Sequence, residues 1–138
     1  MNAYVDSSVL LRVVLGERGI AREWARIDVP VSSEIIRVEC LRTLDRARLK
    51  LGLEDEELAR RRSQLLEHLD SFDMVPLQAP VLARAAEPFP TSLRTLDALH
   101  LATAELVRGR YAALSFLTHD RELGTAARAL GFAVLGVA

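Results

Sequence analysis

The sequence predicts an α/β fold in which a doubly wound parallel sheet carries helices on both faces. Two observations lead there. Five short apolar runs of strand type alternate with longer segments of helical periodicity. Half of the 138 residues are hydrophobic and 27% charged, with few Gly and Pro, the profile of one domain, residues 1–138, long enough to bury about two-thirds of its unfolded surface. In such sheets, sites gather beyond the carboxyl ends of the strands.

Ala3-Tyr4-Val5 is the first strand, ending at Asp6, and Ser7-Ser8 can cap a helix through Val9, Leu10, Val13 and Val14. Gly19 to Ile27 reads as a short helix carrying Trp24, and Val29-Pro30-Val31-Ser32 as the second strand. A long helix follows from Glu34 to about Lys50, closed by Gly52. Glu54-Asp55-Glu56-Glu57 opens the next, where negative charge suits a helix N-terminus, and Arg60-Arg61-Arg62 lies on it. Met74-Val75-Pro76-Leu77 is the third strand, followed by a helix over Ala79 to Ala86 and a loop from Glu87 to Leu93. A helix of nearly continuous apolar character follows, Thr95-Leu96-Asp97-Ala98-Leu99-His100-Leu101-Ala102-Thr103-Ala104. Ala113 to Thr118 is the fourth strand, Arg121 to Leu130 a helix closed by Gly131, and Phe132 to Leu135 the fifth strand.

Composition removes several function classes. The apolar runs are too short to span a bilayer, and the first residues lack a basic segment followed by an apolar core, so the chain is expected in the cytoplasm. The lone cysteine, Cys40, sits among apolar helix residues and reads as an inert core thiol. A net charge of −1 gives no whole-molecule attraction to nucleic acid. Apart from Lys50 every basic residue is arginine, which suits bidentate phosphate recognition and equally reflects GC-rich codons.

The acids carry the chemistry. Asp97 lies in an apolar helix, where an unpaired charge costs several kcal/mol, so it needs a partner, a proton, solvent or a cation. With Thr95 as the cap, Asp97 would fall in the first turn, where the helix dipole lowers that cost without supplying a full counter-charge, so an Arg94 salt bridge or a cation is still wanted. Asp6 and Asp120 follow strands, and each by itself reads as a helix cap. Glu39 falls at the rim of the stripe Ile36, Cys40, Leu44, Ala47, and by itself reads as an exposed partner of Arg42. Glu122 competes with Asp120 for an acidic role. Together, four oxygen-donor residues at consistent places in one topology favour a shared site for a hard cation, Mg²⁺ or Mn²⁺, and not for zinc. Ser8 is placed to hold Asp6 in one rotamer. His100 reads as a core residue or one behind the acids, His119 as a neighbour of Asp120, and His68 as solvated. Phosphate-loop, dinucleotide and H-E-x-x-H motifs are absent from the sequence. Arg42 and Arg46, on the Glu39 helix, and Arg94, beside Asp97, could hold phosphate groups.

Tyr4-Val5-Asp6-Ser7-Ser8-Val9-Leu10-Leu11, Val38-Glu39-Cys40-Leu41-Arg42, Arg94 to Ala104 and Leu117-Thr118-His119-Asp120 resemble, in order and spacing, the PIN-domain nuclease pattern. The chain looks most like a VapC-type toxin of a toxin-antitoxin pair. The resemblance spans almost the whole chain and implies a PIN-like three-layer α/β/α fold with a central parallel sheet of about five strands. It implies an Mg²⁺- or Mn²⁺-dependent endoribonuclease that inhibits translation, with Asp6, Glu39 and Asp97 as the acidic core, Asp120 as a less uniform fourth member, and metal held by Asp6, Asp97 and Asp120. It further implies a small cognate antitoxin and a homodimer. The hydrophobic helices and the Arg60 to Arg62 cluster could belong to the antitoxin surface. Two other readings stand beside it: another metal-dependent phosphate-ester hydrolase, and an inactive PIN-like scaffold that binds RNA or protein.

Overall fold

Five parallel strands, β1 (Asn2–Val5), β2 (Val29–Ser33), β3 (Asp73–Val75), β4 (Leu114–Leu117) and β5 (Val134–Leu135), form one sheet in the order β3-β2-β1-β4-β5. The structure is a computed structural model and describes residues 1–16 and 21–137. Its α-helices are α1 (Ser7–Leu15), α2 (Ala21–Ala25), α3 (Ile35–Leu51), α4 (Asp55–Asp70), α5 (Ala79–Ala85), α6 (Thr95–Val107) and α7 (Arg121–Ala129). The first part of the short helix expected from Gly19 lies outside the described residues; α2 carries its Trp24.

The alternation of β1 explains the three layers. Ala3 and Val5 turn to one face, into a core with Val9, Leu10 and Val14 of α1, Ile36, Cys40 and Leu44 of α3, and Leu65 and Leu69 of α4. Tyr4 turns to the other, into a core with Leu101, Ala104 and Val107 of α6 and Leu123, Ala126 and Ala127 of α7. All three β1 residues are fully buried, as a strand covered on both sides must be. Pro30 is tolerated inside the sheet because β2 there has β1 as its only neighbour: β1 pairs Ala3 with Pro30, whereas β3 joins from Val31 onward.

Three boundaries depart from the sequence expectation. The third strand occupies Asp73–Val75, one residue earlier and ending before Pro76, which has no N–H to give a ladder. The fifth strand starts at Val134, because Phe132 leaves the ladder after Gly131 (φ 91°) and packs against Phe116. The cap of α6 is Arg94, one residue before the expected Thr95, and Asp97 remains in the first turn. No described helix is long and apolar enough to cross a membrane.

The chain winds outward from β1 to β2 and β3, then returns through α5 and α6 to the opposite side of β1. The winding direction reverses between β1 and β4, so the carboxyl ends of these two strands open a crevice, the place where open α/β sheets bind ligands.

Candidate active site

That crevice is where the acids meet. Asp6 follows β1, and its backbone N–H continues the sheet by donating to Leu117 O (3.2 Å). Its side chain makes no cap bond to α1; Ser8 Oγ donates to Asp6 Oδ1 (2.6 Å) and Thr118 Oγ1 to Asp6 Oδ2 (2.8 Å). Asp6 is thus buried, and fixed by a hydroxyl on each oxygen. Burial raises its carboxyl above the ordinary range, with the Ser8 hydrogen bond, the His100 charge and the Thr118 hydrogen bond opposing.

Glu39 does not pair with Arg42, which turns instead to Asp45 (3.1 Å) on the exposed side of α3. The Glu39 carboxylate points inward, accepting from Ser7 Oγ (3.1 Å) and meeting His100 Nε2. His100 is buried on α6, and its Nδ1 lies 2.7 Å from the Tyr4 hydroxyl.

Asp97, half-buried at the start of α6, finds no salt bridge with Arg94; among the described residues Arg94 is exposed and outside any ion pair. Its carboxyl is pushed up to about 6, first by burial, then by the charges of Asp120 and Asp6, with Glu39 adding and His100 opposing. Asp97 therefore feels all three other acids. Asp120 is the largest of these charges.

Asp120 caps α7 by accepting from Leu123 N–H with Oδ1 (2.9 Å) while remaining exposed. The turn before it is fastened from three sides. Thr118 Oγ1 accepts from Asp120 N–H (3.0 Å), Ser8 Oγ accepts from His119 N–H (3.1 Å), and His119 Nδ1 donates to Gly136 O (2.8 Å). Gly136 has φ 96°, and a Cβ there would stand 2.4 Å from Thr118 O. Among the described residues no three acidic, histidine or cysteine side chains are placed closely enough to hold a metal ion between them. Exposure rises across the acids from buried Asp6 through half-buried Asp97 to exposed Asp120.

The PIN domain family profile matches residues 3–129. The chain belongs to the PIN-domain family. Ribonuclease VapC46 of Mycobacterium tuberculosis strain H37Rv is 35% identical over 136 residues, spanning 96% of this PIN domain and 95% of its own length. Ribonuclease VapC47 of Mycobacterium tuberculosis strain CDC 1551 is 32% identical over 136 residues, spanning 94% and 92%. A toxin-antitoxin complex from Klebsiella pneumoniae shares the fold, with a TM-score of 0.63 at 20% identity over 99% of this PIN domain and 96% of the chain compared.

Sequence reasoning named the acids and Ser8, and missed Ser7, Tyr4 and Thr118. Thr118 stands two residues before Asp120 at a strand end, a weak local signal, but its contact with Asp6 spans 112 positions. Tyr4 shares the strand face of Asp6, two residues on, which was the available sign that its hydroxyl reaches the site. Cys40 is buried, and burial pushes its thiol up, in keeping with an inert core residue. His68 is not simply solvated: it packs edge-on against Trp24 at 5.4 Å.

Proposed function

We propose that this PIN domain, a single domain over residues 1–138, is a divalent-metal-dependent endoribonuclease acting as the toxin of a toxin-antitoxin pair. The observation that carries the proposal is the gathering of Asp6, Glu39, Asp97 and Asp120 at the β1/β4 crevice, where the three others help to hold the Asp97 carboxyl at about 6. Four all-oxygen donors that repel one another fit a hard cation, Mg²⁺ or Mn²⁺, and its binding would relieve the repulsion. Asp6, Asp97 and Asp120 would hold the ion, with Glu39 facing the same space. A bound divalent ion supplies phosphate charge neutralisation and a more acidic water for in-line attack on a phosphodiester.

The chain's part is to hold these acids ready. Ser8 and Thr118 fix the Asp6 rotamer, Ser7 and His100 fix Glu39, and the α7 cap fixes one oxygen of Asp120. Arg42, Arg46 and Arg94 are exposed, and guanidinium groups there suit RNA phosphates. The two ribonuclease relatives support RNA as substrate, and their names with the complex from Klebsiella support a small antitoxin as partner. A homodimer and a cytoplasmic location complete the reading.

The test is cleavage of labelled structured and single-stranded RNAs by antitoxin-free protein and by Asp97→Asn, with Mn²⁺, with Mg²⁺ and with EDTA. The expected result is cleavage that requires metal and disappears in the variant. Binding of RNA unchanged by EDTA, with no cleavage and no calorimetric sign of divalent ions, would replace the nuclease by a binding scaffold.

A further inference from the structure

Behind the acids runs a chain of hydrogen bonds that starts in the sheet. Ser33 N–H donates to the Tyr4 oxygen (3.1 Å), and the Tyr4 hydroxyl lies 2.7 Å from His100 Nδ1. His100 Nε2 meets Glu39 Oε1, and Ser7 Oγ donates to Glu39 Oε2 (3.1 Å). Tyr4 and His100 are both buried, and Tyr4 is further locked by stacking on Phe116 at 5.2 Å.

The directions of these bonds follow from their chemistry. A backbone N–H can only donate, so the Tyr4 oxygen accepts from Ser33 and its own proton is free for His100 Nδ1. A carboxylate can only accept, so the proton of the imidazole belongs on Nε2, toward Glu39. Backbone, phenol, imidazole and carboxylate then form one unbroken series in which every donor has an acceptor. The alternative tautomer would set a bare Nε2 against a carboxylate oxygen.

The geometry points to His100 as a positioning residue for Glu39: an imidazole that turns Nε2 to the Glu39 carboxylate and, with Tyr4 behind it, fixes that carboxylate toward the crevice. Its role in turnover rests on the nuclease reading above, and it acts through Glu39 without touching substrate. This accounts for a polar ring inside a helix whose other buried residues, Thr103 apart, are apolar, and for the conjunction of Tyr4, two residues before Asp6, with His100, three residues after Asp97. The two strongest acid motifs of the sequence thus each contribute one member of the support for the third acid. The helix α3 bearing Glu39 has its own core stripe, but a long carboxylate at the rim of that stripe has free χ angles that packing alone does not fix.

Two measurements test it. Nitrogen-15 NMR of the imidazole at neutral pH should show His100 carrying a proton on Nε2, toward Glu39. Separately, RNA-cleavage kinetics should be compared for His100→Leu, His100→Gln, Glu39→Gln and the Glu39→Gln/His100→Leu double variant. His100→Leu should lower kcat about 10- to 100-fold with KM nearly unchanged. His100→Gln, whose amide N–H reaches a similar place, should recover most of it. The double variant should be no slower than Glu39→Gln alone, because the imidazole would have nothing left to position. If His100→Leu does not fold, Tyr4→Phe, which removes one oxygen and keeps the ring stacking, takes its place in the cycle. An Nε2 without a proton, or losses that multiply in the double variant, would overturn the assignment. The NMR result requires no cleavage, so absence of nuclease activity would refute the enzyme while leaving the hydrogen-bond series to be judged by its spectrum.

Discussion

Removing a carboxylate from the crevice should make the metal-free protein more stable. The Asp97 carboxyl stands at about 6 instead of 3.8, because burial and three neighbouring acids oppose its charge. A displacement of about two pKa units corresponds to about 3 kcal/mol at full strength. Asp97 is only half-buried, and solvent screening reduces this to about 1 kcal/mol. Asp97→Asn keeps the shape and removes the charge, so at pH 7.5 in EDTA it should melt about 3 °C above the parent. The pH dependence has a definite sign. Between pH 3.8 and about 6 the native carboxyl holds a proton that the unfolded one has lost, so this contribution to stability is complete below the unfolded pKa and disappears as pH rises through 6. At pH 5 the native carboxyl is mostly neutral but the unfolded one is still ionised, so the gap between the two proteins should fall to about half and close only below pH 3.8. Saturating Mn²⁺ should reverse the order, since an ion at about 100 times its Kd stabilises the parent by about 2.7 kcal/mol and the variant much less. Thermal melts by circular dichroism across these conditions suffice. An Asp97→Asn protein that melts at or below the parent in EDTA at pH 7.5, with a gap that pH 5 does not change, would refute the reasoning.

The remaining expectations concern the supports and the rim. Ser8→Ala removes the donor to Asp6 and the acceptor for His119 N–H, and should weaken Mn²⁺ binding about 10- to 100-fold by calorimetry. Gly136→Ala meets both a positive φ and the Thr118 carbonyl, and should cost about 2 kcal/mol, read as a lowered denaturation midpoint. Arg46→Glu and Arg94→Glu should leave the melting temperature almost unchanged, because both residues are exposed, while weakening RNA binding and reducing its salt dependence by about one charge each.

What the residues revealed in advance divides by distance along the chain. Asp6, Asp97 and Asp120 stood out because each lies beside a strand end or helix start that can be read from neighbours within a turn. The sheet followed from five apolar runs, and its alternation from helices between them. Contacts across the sheet were different. Nothing near Thr118 indicates Asp6, and nothing near Tyr4 indicates His100, because those pairs are made by the β1/β4 register and by the packing of α6. Arg42 shows a local rule being outvoted. Both Glu39 and Asp45 lie three residues away, and helical spacing does not choose between them; the inward turn of Glu39 toward Ser7 and His100 leaves Arg42 to Asp45. Thr95 offered a good capping side chain, yet the chain enters the helix at Arg94, whose extended backbone (ψ 164°) ends the preceding loop.

The central place of β1 bears on when the proposed nuclease could first become active. The first strand to be synthesised ends up in the middle of the sheet, and one of its two flanks stays open until residues 114–117 exist. Asp6 must wait as long for Thr118, and Asp97 for Asp120. Contacts of such long range form late and slowly. A chain interrupted anywhere before β4 would therefore carry at most three of the acids with no crevice to gather them, so interrupted synthesis or early proteolysis should yield inactive fragments, and a partner that intercepts the chain has until residues 114–120 are made to do so.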